Sequence, residues 1–178
     1  MQRIFLVGYM GSGKTTSGKQ LARLLNVPFL DLDREIEASE RSSIPEIFKN
    51  GGEANFRGIE KRALHAVVAA YPAMVCATGG GTPCFYDNMQ FMNRSGITVY
   101  LEMDVASIVH RLIHAHGERP LVAGKTHEEL HAFVTRHLEE RKEFYREAKV
   151  HIHALGMNKI KLESLAKQIR SIGASQNP

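Results

Sequence analysis

Residues 8–15, Gly-Tyr-Met-Gly-Ser-Gly-Lys-Thr, have the glycine spacing and the Lys-Thr ending of a phosphate-binding loop. In such a loop, successive backbone N–H groups turn toward the phosphates, and the lysine places a positive charge between the β and γ groups. The hydroxyl of Thr15 can ligate Mg²⁺. We therefore predict that the chain binds a nucleoside triphosphate together with Mg²⁺. The predicted nucleotide-binding residues in this segment are Gly11, Ser12, Gly13, Lys14, Thr15 and Thr16.

The sequence on either side of this loop has the patterns that a phosphate-binding loop requires. An apolar run, residues 4–7, precedes the loop, and a stretch with helical spacing, residues 16–25, follows it. A glycine-rich turn can be purely structural, but the order of strand, loop and helix favours the functional interpretation. The amino terminus of the helix would add the positive end of its dipole to the site.

Asp31 and Asp33 stand at the end of a second apolar run, residues 29–32. Ligands of a parallel α/β sheet gather at the carboxyl ends of its strands, so we expect both carboxylates to face the phosphate-binding loop. Alternation along an extended chain predicts that they point to one side. One would serve the water shell of the metal and the other a substrate hydroxyl. The alternative is that they only favour the start of the next helix.

Gly79, Gly80 and Gly81 follow the apolar run 74–77, at a place where many phosphate-binding proteins carry an aspartate for Mg²⁺. Three consecutive glycines cost backbone entropy, which favours a position where another molecule approaches the main chain closely. We therefore expect ligand contact here. A tight turn that needs positive φ is the alternative, although it explains one or two glycines more easily than three.

Four arginines are candidates for binding an anion. Arg57 has Glu60 three positions further on, and on a helix that carboxylate could hold the guanidinium ready for bidentate capture of a carboxylate or phosphate. Arg119 stands beside a proline in the segment 116–125, whose composition is typical of a mobile loop, and this indicates a lid. Arg111 and Arg141 lie in helical patterns. From spacing alone, each of the four could equally be a solvated surface residue.

Length and composition indicate one soluble domain. The chain has 178 residues, 43% of them hydrophobic, which is enough for one buried core. Its net charge of +4 is spread over scattered lysines and arginines with no basic block, so small anions rather than nucleic acid are the expected partners. Cys76 and Cys84 lack metal-site or disulfide spacing. We find no signal-peptide or membrane-spanning pattern and expect a cytoplasmic protein.

Short apolar runs alternate with longer helical patterns, which predicts a three-layer α/β fold around a five-stranded parallel sheet. Thr126 and Glu129 form a capping-box pattern at the start of a long, charged helix that runs to about Lys149. We expect residues 173–178 to be a polar tail. The predicted strands are residues 4–7, 29–32, 74–77, 97–101 and 150–153. Four apolar helix faces are predicted to pack in the core, namely Leu21, Leu24 and Leu25; Ile59, Ala63, Val67 and Ala70; Val105, Ile108, Val109 and Leu112; and Ile160, Leu162, Leu165 and Ile169.

In this combination of motifs the chain resembles the shikimate kinases. The phosphate-binding loop, or P-loop, is shared by many kinases, so it is not specific by itself. The full set of motifs in this order is specific, and it covers residues 4 to about 153. The matching segments are Gly-Tyr-Met-Gly-Ser-Gly-Lys-Thr at 8–15, Phe-Leu-Asp-Leu-Asp at 29–33, Gly-Glu with Phe-Arg and Glu at 52–60, Thr-Gly-Gly-Gly at 78–81, Arg-Pro-Leu at 119–121, and Arg with Tyr at 141–145.

The resemblance implies a P-loop fold of the nucleoside-monophosphate-kinase type, with a substrate-binding region near residues 34–62 and a lid near 112–125. It implies ATP-dependent phosphorylation of a shikimate hydroxyl to shikimate 3-phosphate by a chain that we expect to be monomeric. At the acceptor, the resemblance implies that Asp33 binds shikimate hydroxyls, that Arg57 and Arg141 hold the shikimate carboxylate, and that the shikimate pocket is lined by Gly79, Gly80 and Gly81. At the nucleotide, it implies that Lys14 and Arg119 contact the transferred phosphoryl group and that Arg111 stacks on adenine. It also implies that Thr15 ligates Mg²⁺, with Asp31 in the second shell of the metal.

Other functions share part of this pattern. Gluconate kinases and nucleoside-monophosphate kinases have the P-loop and lid but are not expected to combine Asp33 with the glycine triplet and Arg57. A guanine-nucleotide switch would need Asn-Lys-x-Asp, whereas residues 158–161 read Asn-Lys-Ile-Lys. A nucleic-acid-binding module would show binding that depends steeply on salt. The chain also departs from the family's pattern at Glu143, where a proline is usual, and at 154–159, which lacks the basic and proline residues of the adenine loop.

Overall fold

A computed structural model describes residues 2–114 and 124–175, and within them five strands form one parallel sheet. The order across the sheet is β2-β3-β1-β4-β5, so β1 lies at the centre between β3 and β4. This confirms the predicted five-stranded parallel α/β architecture. The strands are β1 Arg3–Val7, β2 Phe29–Asp31, β3 Met74–Ala77, β4 Ile97–Glu102 and β5 Val150–His153.

Helices connect these strands, as parallel pairing requires. The described helices are α1 Lys14–Leu25, α2 Leu32–Glu40, α3 Ile44–Ala70, α4 Asn88–Ser95, α5 Val105–Ile113, α6 His127–Arg146 and α7 Lys159–Ser175, with a short 3₁₀ helix at Thr82–Cys84. The predicted capping box at the start of α6 is confirmed, because Thr126 and Glu129 exchange side-chain and backbone hydrogen bonds. Ser43 and Glu46 form a second capping box that starts α3.

The core lies on both faces of the sheet, where the side chains of β1 and β3 are almost all buried. Buried strand residues on both faces are typical of a parallel sheet covered by helices. The apolar faces predicted for the helices pack against it through residues such as Leu21, Val67 and Ile108. Two residues are exceptions to that prediction. Ile160 lies in the first turn of α7 with 75% of its surface exposed, and Ala70, the last residue of α3, is also exposed.

Helix α3 is interrupted at Gly52, whose φ of 69° and ψ of −178° are not helical. These angles lie in a region that essentially only glycine adopts, so the kink depends on this residue. The kink separates a short first segment from the longer second segment that carries Arg57 and Glu60. Together with α2, the part of α3 on both sides of the kink up to about residue 62 forms the region near residues 34–62 where substrate binding is expected.

Several predicted boundaries differ from the structure. Strand β1 begins at Arg3 and β4 ends at Glu102, each one residue beyond its predicted range. Leu32 belongs to α2 rather than to the second strand, because the helix begins directly after Asp31. Helix α6 ends at Arg146, before Lys149. Helix α7 continues to Ser175, so part of the expected tail at 173–178 is helical. In residues 2–114 and 124–175, no helix is both long and apolar enough to cross a membrane.

Candidate active site

A cavity of about 980 Å³ opens at the carboxyl end of the sheet. Ligands of open α/β sheets bind at this edge, as expected for the predicted site. Of the predicted site residues, Ser12 is buried and Gly81 does not line the cavity, while Arg119 lies outside the described residues. The predicted residues that do line it are Gly11, Gly13, Lys14, Thr15, Thr16, Asp31, Asp33, Arg57, Gly79, Gly80, Arg111 and Arg141.

The phosphate-binding loop joins β1 to the amino terminus of α1. Gly8 has a φ of 137°, and a Cβ there would stand 2.8 Å from the carbonyl oxygen of Leu101, so this position requires glycine. The Lys14 ammonium donates to the carbonyl oxygens of Gly8 at 2.7 Å and Tyr9 at 3.0 Å. The hydroxyl of Ser12 is buried and has no hydrogen-bond partner in the described part of the chain. The ammonium of Lys14, which lines the cavity, gives the loop a positive charge that suits a phosphate group.

Thr15 and Asp31 form the candidate metal site. The Thr15 hydroxyl donates to Asp31 Oδ2 at 2.9 Å. Asp31 is the N-cap residue of α2, but its side chain makes no capping hydrogen bond and faces the cavity instead. Hydroxyl and carboxylate oxygens are ligands that Mg²⁺ prefers, and Mg²⁺ in kinases takes its remaining ligands from phosphates and water. The pair therefore fits a Mg²⁺ ion that arrives with a nucleotide.

Asp33 lies in the first turn of α2, so alternation along a strand is not the reason why it shares the cavity with Asp31. The helix begins at Leu32 and turns Asp33 toward the glycine triplet, with Gly79 close to its Oδ1. Burial, and after it the nearby carboxylates of Asp31 and Glu60, raise the pKa of Asp33 to about 6. Lys14 opposes this shift. Near neutral pH, Asp33 is thus an ionised carboxylate that can accept a proton.

Arg57 is held by two carboxylates on its own helix. Its Nη1 donates to Glu60 Oε2 at 2.8 Å, as the spacing predicted, and its Nη2 donates to Glu53 at 3.1 Å. Glu60 is fully buried and also accepts a hydrogen bond of 2.6 Å from the Thr82 hydroxyl. The Arg57 guanidinium lies 4.1 Å from the centre of the Phe85 ring. A guanidinium fixed in this way is preorganised to bind an anion.

The glycine triplet leaves room for the side chains of the site. A Cβ on Gly79 would stand 3.0 Å from both Asp33 Oδ1 and Glu60 Oε1, and one on Gly81 would stand 2.5 Å from the guanidinium of Arg57. None of the three glycines has positive φ, which contradicts the tight-turn alternative. Gly79 and Gly80 line the cavity. The space that the three glycines leave without a side chain is occupied by other groups of the protein.

One face of α6 forms a wall of the cavity. Phe133, His137 and Arg141 recur at intervals of four residues and all line the cavity. Tyr145, one turn further on, donates from its hydroxyl to the carbonyl oxygen of Gly80 at 2.6 Å, which fixes α6 against the glycine triplet. Sequence reasoning identified Arg141 but missed Phe133 and His137. Their positions, eight and four residues before Arg141, were the signal that could have found them.

Arg111 reaches the phosphate-binding loop from α5. Its Nη1 donates to the carbonyl oxygen of Gly11 at 3.1 Å, and a Cβ on Gly13 would stand 3.2 Å from the same nitrogen. The guanidinium therefore flanks the loop and lines the cavity. The expected lid near 112–125 follows α5, and its residues 115–123 lie outside the described part of the chain.

The sequence profile of the shikimate kinase family matches residues 10–172. A shikimate kinase from Bacteroides fragilis is 50% identical over 148 residues, which are 83% of this chain and 82% of that protein. A shikimate kinase from Parabacteroides distasonis is 48% identical over 150 residues, 84% of this chain and 86% of that protein. The similarity thus extends over most of each sequence.

Solved structures give the same result. A shikimate kinase from Bacteroides thetaiotaomicron superposes with a TM-score of 0.87 at 44% identity and covers 97% of this chain and 98% of its own. One from Acinetobacter baumannii, in complex with shikimate, has a TM-score of 0.80 at 35% identity and covers 99% and 95%. A gluconokinase from Sinorhizobium meliloti, with a TM-score of 0.59 at 14% identity over 99% and 98%, shares the fold alone. Sequence and structure agree over nearly the whole chain, which therefore belongs to the shikimate kinase family.

Proposed function

We propose that this chain transfers the γ-phosphoryl group of ATP to a hydroxyl of shikimate and forms shikimate 3-phosphate, a step of chorismate and aromatic amino-acid biosynthesis. One observation carries this proposal. Lys14 of the phosphate-binding loop lines the same cavity as Asp33, Arg57 and Arg141, and we call this shared space the joint cavity. An acceptor with both hydroxyls and a carboxylate explains why an aspartate and two arginines share one pocket. Membership of the family supports the same acceptor.

Arg57 and Arg141 bind the carboxylate of the acceptor in this proposal. They approach from different elements, α3 and α6, and both line the cavity. Charge-assisted hydrogen bonds from arginine to a carboxylate are about twice as strong as neutral ones and fix the orientation of a planar group. The two arginines therefore orient the ring of the acceptor so that a hydroxyl meets Asp33. Gly79 and Gly80 complete that side of the pocket.

Asp33 orients the attacking hydroxyl and accepts its proton as the new P–O bond forms. Phosphoryl transfer passes through a loose transition state, so catalysis consists mainly of positioning and electrostatic stabilisation. A strong base is therefore unnecessary, and a carboxyl with a pKa of about 6 is ionised at neutral pH. Lys14 binds the phosphates and stabilises the charge on the transferred group. Its ammonium lies at the start of the loop, 2.7 Å from the carbonyl oxygen of Gly8.

The nucleotide is held by the phosphate-binding loop, with Arg111 stacked on adenine and Arg119 of the lid on the transferred phosphoryl group. Thr15 would ligate Mg²⁺, and Asp31 would hold a water of its shell. When bound, Mg²⁺ neutralises charge on the β- and γ-phosphate oxygens. All the residues proposed for ATP and shikimate come from one chain, so we propose that a monomer is sufficient.

An acceptor panel tests this function. ADP release with ATP and Mg²⁺ is measured for shikimate, gluconate, nucleoside monophosphates and the methyl ester of shikimate. Shikimate should be turned over, and its methyl ester, which lacks the carboxylate charge, should have a KM roughly ten- to a hundredfold higher because the arginine contacts weaken. Turnover of gluconate or a nucleoside monophosphate with shikimate inert would refute the proposal and leave the nucleotide site intact.

A further inference from the structure

Tyr9 connects the phosphate-binding loop to α6. Its side chain is buried, and its hydroxyl forms a hydrogen bond of 2.9 Å with Nδ1 of His137. The two rings meet edge to face, with centroids 5.6 Å apart. The backbone carbonyl of the same tyrosine accepts hydrogen bonds from the Lys14 ammonium at 3.0 Å and from the Ser12 amide at 3.1 Å. One residue thus contacts α6 with its side chain and the phosphate-binding groups with its backbone.

The contacts continue along α6 in both directions from His137. Arg141, one turn later, lines the cavity, and so does Phe133, one turn earlier. The Phe133 and His137 rings have centroids 5.0 Å apart, and the Lys125 ammonium lies 5.2 Å from the centre of the Phe133 ring. The face of α6 that lines the pocket therefore contacts the phosphate-binding loop through His137. Through Phe133 it contacts Lys125, which precedes the N-cap residue of the helix.

We propose that the Tyr9–His137 hydrogen bond couples the nucleotide site to the acceptor site, so that each ligand increases affinity for the other. The inference rests on the proposed function, in which Lys14 binds phosphates and Arg141 binds the acceptor carboxylate. Ordering of the loop by a nucleotide fixes Tyr9, and Tyr9 fixes the turn of α6 that carries Arg141. Coupling between two sites is reciprocal, so the acceptor must strengthen nucleotide binding by the same factor. Tyr9 and His137 are positioning residues in this scheme.

A buried tyrosine hydroxyl usually has a hydrogen-bond partner, so the alternative is that the pair serves stability alone. The two roles differ in what a substitution changes. If the hydrogen bond is merely structural, its loss lowers the stability of the fold and leaves the coupling between the two ligands unchanged. Burial, and then the charge of Arg141, lower the pKa of His137, so at neutral pH the ring adds no positive charge beside the arginine. Its effect on the acceptor must then come through position.

The test measures shikimate affinity by calorimetry with and without ADP and Mg²⁺, which gives a coupling factor as the ratio of the two dissociation constants. Wild-type protein should show a factor of about 5 or more, within the usual range for coupled sites. Tyr9→Phe and His137→Leu should each reduce the factor at least threefold. His137→Asn, which keeps a polar atom near the position of Nδ1, should restore part of it.

Tyr100→Phe is the matched control. Tyr100 is a buried tyrosine of β4, and its hydroxyl makes no hydrogen bond with a described residue. Its removal should leave the coupling factor at the wild-type value. A wild-type factor of one, or Tyr9→Phe and His137→Leu proteins that melt earlier but keep the wild-type factor, would overturn the inference.

A second measurement separates this inference from the proposed function. ADP and Mg²⁺ alone should shift the ¹⁵N resonances of the His137 ring in wild-type protein and not in Tyr9→Phe. If shikimate does not bind but the ring responds to nucleotide, the proposed acceptor is wrong and the link from the loop to α6 stands. If shikimate binds and is phosphorylated but the ring does not respond, the function stands and the link is refuted.

Discussion

Asp33 shows how strongly the surroundings of a single residue decide its chemistry. Its sequence context predicted a carboxylate at the end of a strand, whereas the structure places it in the first turn of α2, half-buried and close to Glu60 and Gly79. Burial and the neighbouring carboxylates Asp31 and Glu60 raise its pKa from the ordinary 3.8 to about 6. Both the reaction and the stability of the protein should therefore depend on the protonation of this group.

The activity of the enzyme should decrease as the pH falls through about 6, because a protonated Asp33 cannot take the proton of the acceptor hydroxyl. Asp33→Asn should reduce kcat by about 10² to 10⁴-fold, the usual contribution of a positioned acid or base. The residual activity of the variant should lack the acidic limb. The pH profile of kcat/KM for both proteins checks this. An unchanged kcat for Asp33→Asn at saturating shikimate would assign Asp33 to helix initiation instead.

The same residue should destabilise the ligand-free fold at neutral pH. Folding raises the pKa of Asp33. The contribution of Asp33 to the free energy of unfolding is therefore fully favourable below about pH 3.8 and is lost as the pH rises through about 6. Asp33→Asn should therefore raise the free energy of unfolding at pH 8 by about 1 to 3 kcal/mol, since each pKa unit corresponds to about 1.4 kcal/mol. At pH 4 the variant and the wild type should have nearly equal stability.

Urea unfolding at the two pH values measures this difference. Glu40→Gln removes an exposed carboxylate from the same helix and is the control, which should change stability little at either pH. A variant no more stable than wild type at pH 8 would show that Asp33 is not desolvated as the structure indicates.

Arg141 and Arg57 should respond differently to truncation. Arg141→Ala should raise the KM for shikimate about ten- to a hundredfold with little change in kcat, because the contact is remote from the reacting hydroxyl. Arg57→Ala should raise KM similarly and also lower stability by about 3 to 5 kcal/mol, because it leaves the buried carboxylate of Glu60 without its ion partner. Steady-state kinetics and thermal unfolding of both variants check this, and an effect of Arg141→Ala on kcat alone would contradict it.

Sequence spacing predicted some of these residue-scale features and not others. The pairing of Arg57 with Glu60 follows from helix periodicity, which fixes which side chains are neighbours. The role of Gly79 and Gly81 could not be read from the sequence, because it depends on side chains that approach from α2 and α3. The hydrogen bond between His137 and Tyr9 could not be read from the sequence either, since the two residues are 128 positions apart along the chain.

At the scale of elements, the strands were predictable and the kink in α3 was not. Buried parallel strands appear as short apolar runs, and the predicted limits of β3 and β5 match the structure. The apolar spacing of α3 continues on both sides of Gly52, so periodicity alone does not locate the break. Only the adjacent glycines, Gly51 and Gly52, indicate a weak point.

Gly52→Ala should test whether the kink places Arg57. The space around Gly52 is open, with no atom within 4 Å of an added Cβ, so the cost comes from the backbone angles alone, about 1 to 3 kcal/mol. We expect lower stability and a higher KM for shikimate, because Glu53 and Arg57 follow the kink directly. Thermal unfolding and steady-state kinetics measure the two effects.

Gly58→Ala is the matched control within the same helix. Its backbone is helical, and the nearest atom to an added Cβ is the flexible end of Arg62 at 3.5 Å. Alanine should therefore leave KM unchanged and stabilise the helix by up to about 1 kcal/mol. Equal effects of the two substitutions would show that the kink has no special role in positioning the site.

At the scale of the whole molecule, basic residues serve the fold as well as the reaction. At the edge of the sheet opposite the active site, Arg3, Lys149 and Arg170 donate to backbone carbonyls at or next to the carboxyl ends of α3, α4 and α1. Positive charges in such positions stabilise helices by complementing their dipoles. Part of the net charge of +4 therefore has a structural origin. The presence of these scattered basic residues is explained without a polyanionic partner.

Arg119 is proposed to act in catalysis rather than in binding of the acceptor. Arg119, the lid arginine of the family pattern, is proposed to reach the phosphoryl group only when both substrates are bound. An interaction made mostly in the transition state affects kcat rather than affinity, so Arg119→Ala should lower kcat by up to about 10³-fold and change the KM for shikimate little. A variant that raised only that KM would indicate that Arg119 binds the acceptor instead. The same kinetic series as for Arg141→Ala provides the comparison.

The identity of the product tests the central claim most directly. The purified chain is incubated with ATP, Mg²⁺ and shikimate, and the products are examined by ³¹P and ¹H NMR. Phosphoryl transfer in the joint cavity predicts one new phosphate monoester, coupled to the proton on carbon 3 of shikimate and formed in equal amount to ADP. ADP formed with inorganic phosphate and no ester, or a phosphate on another acceptor while shikimate remains unchanged, would contradict the account.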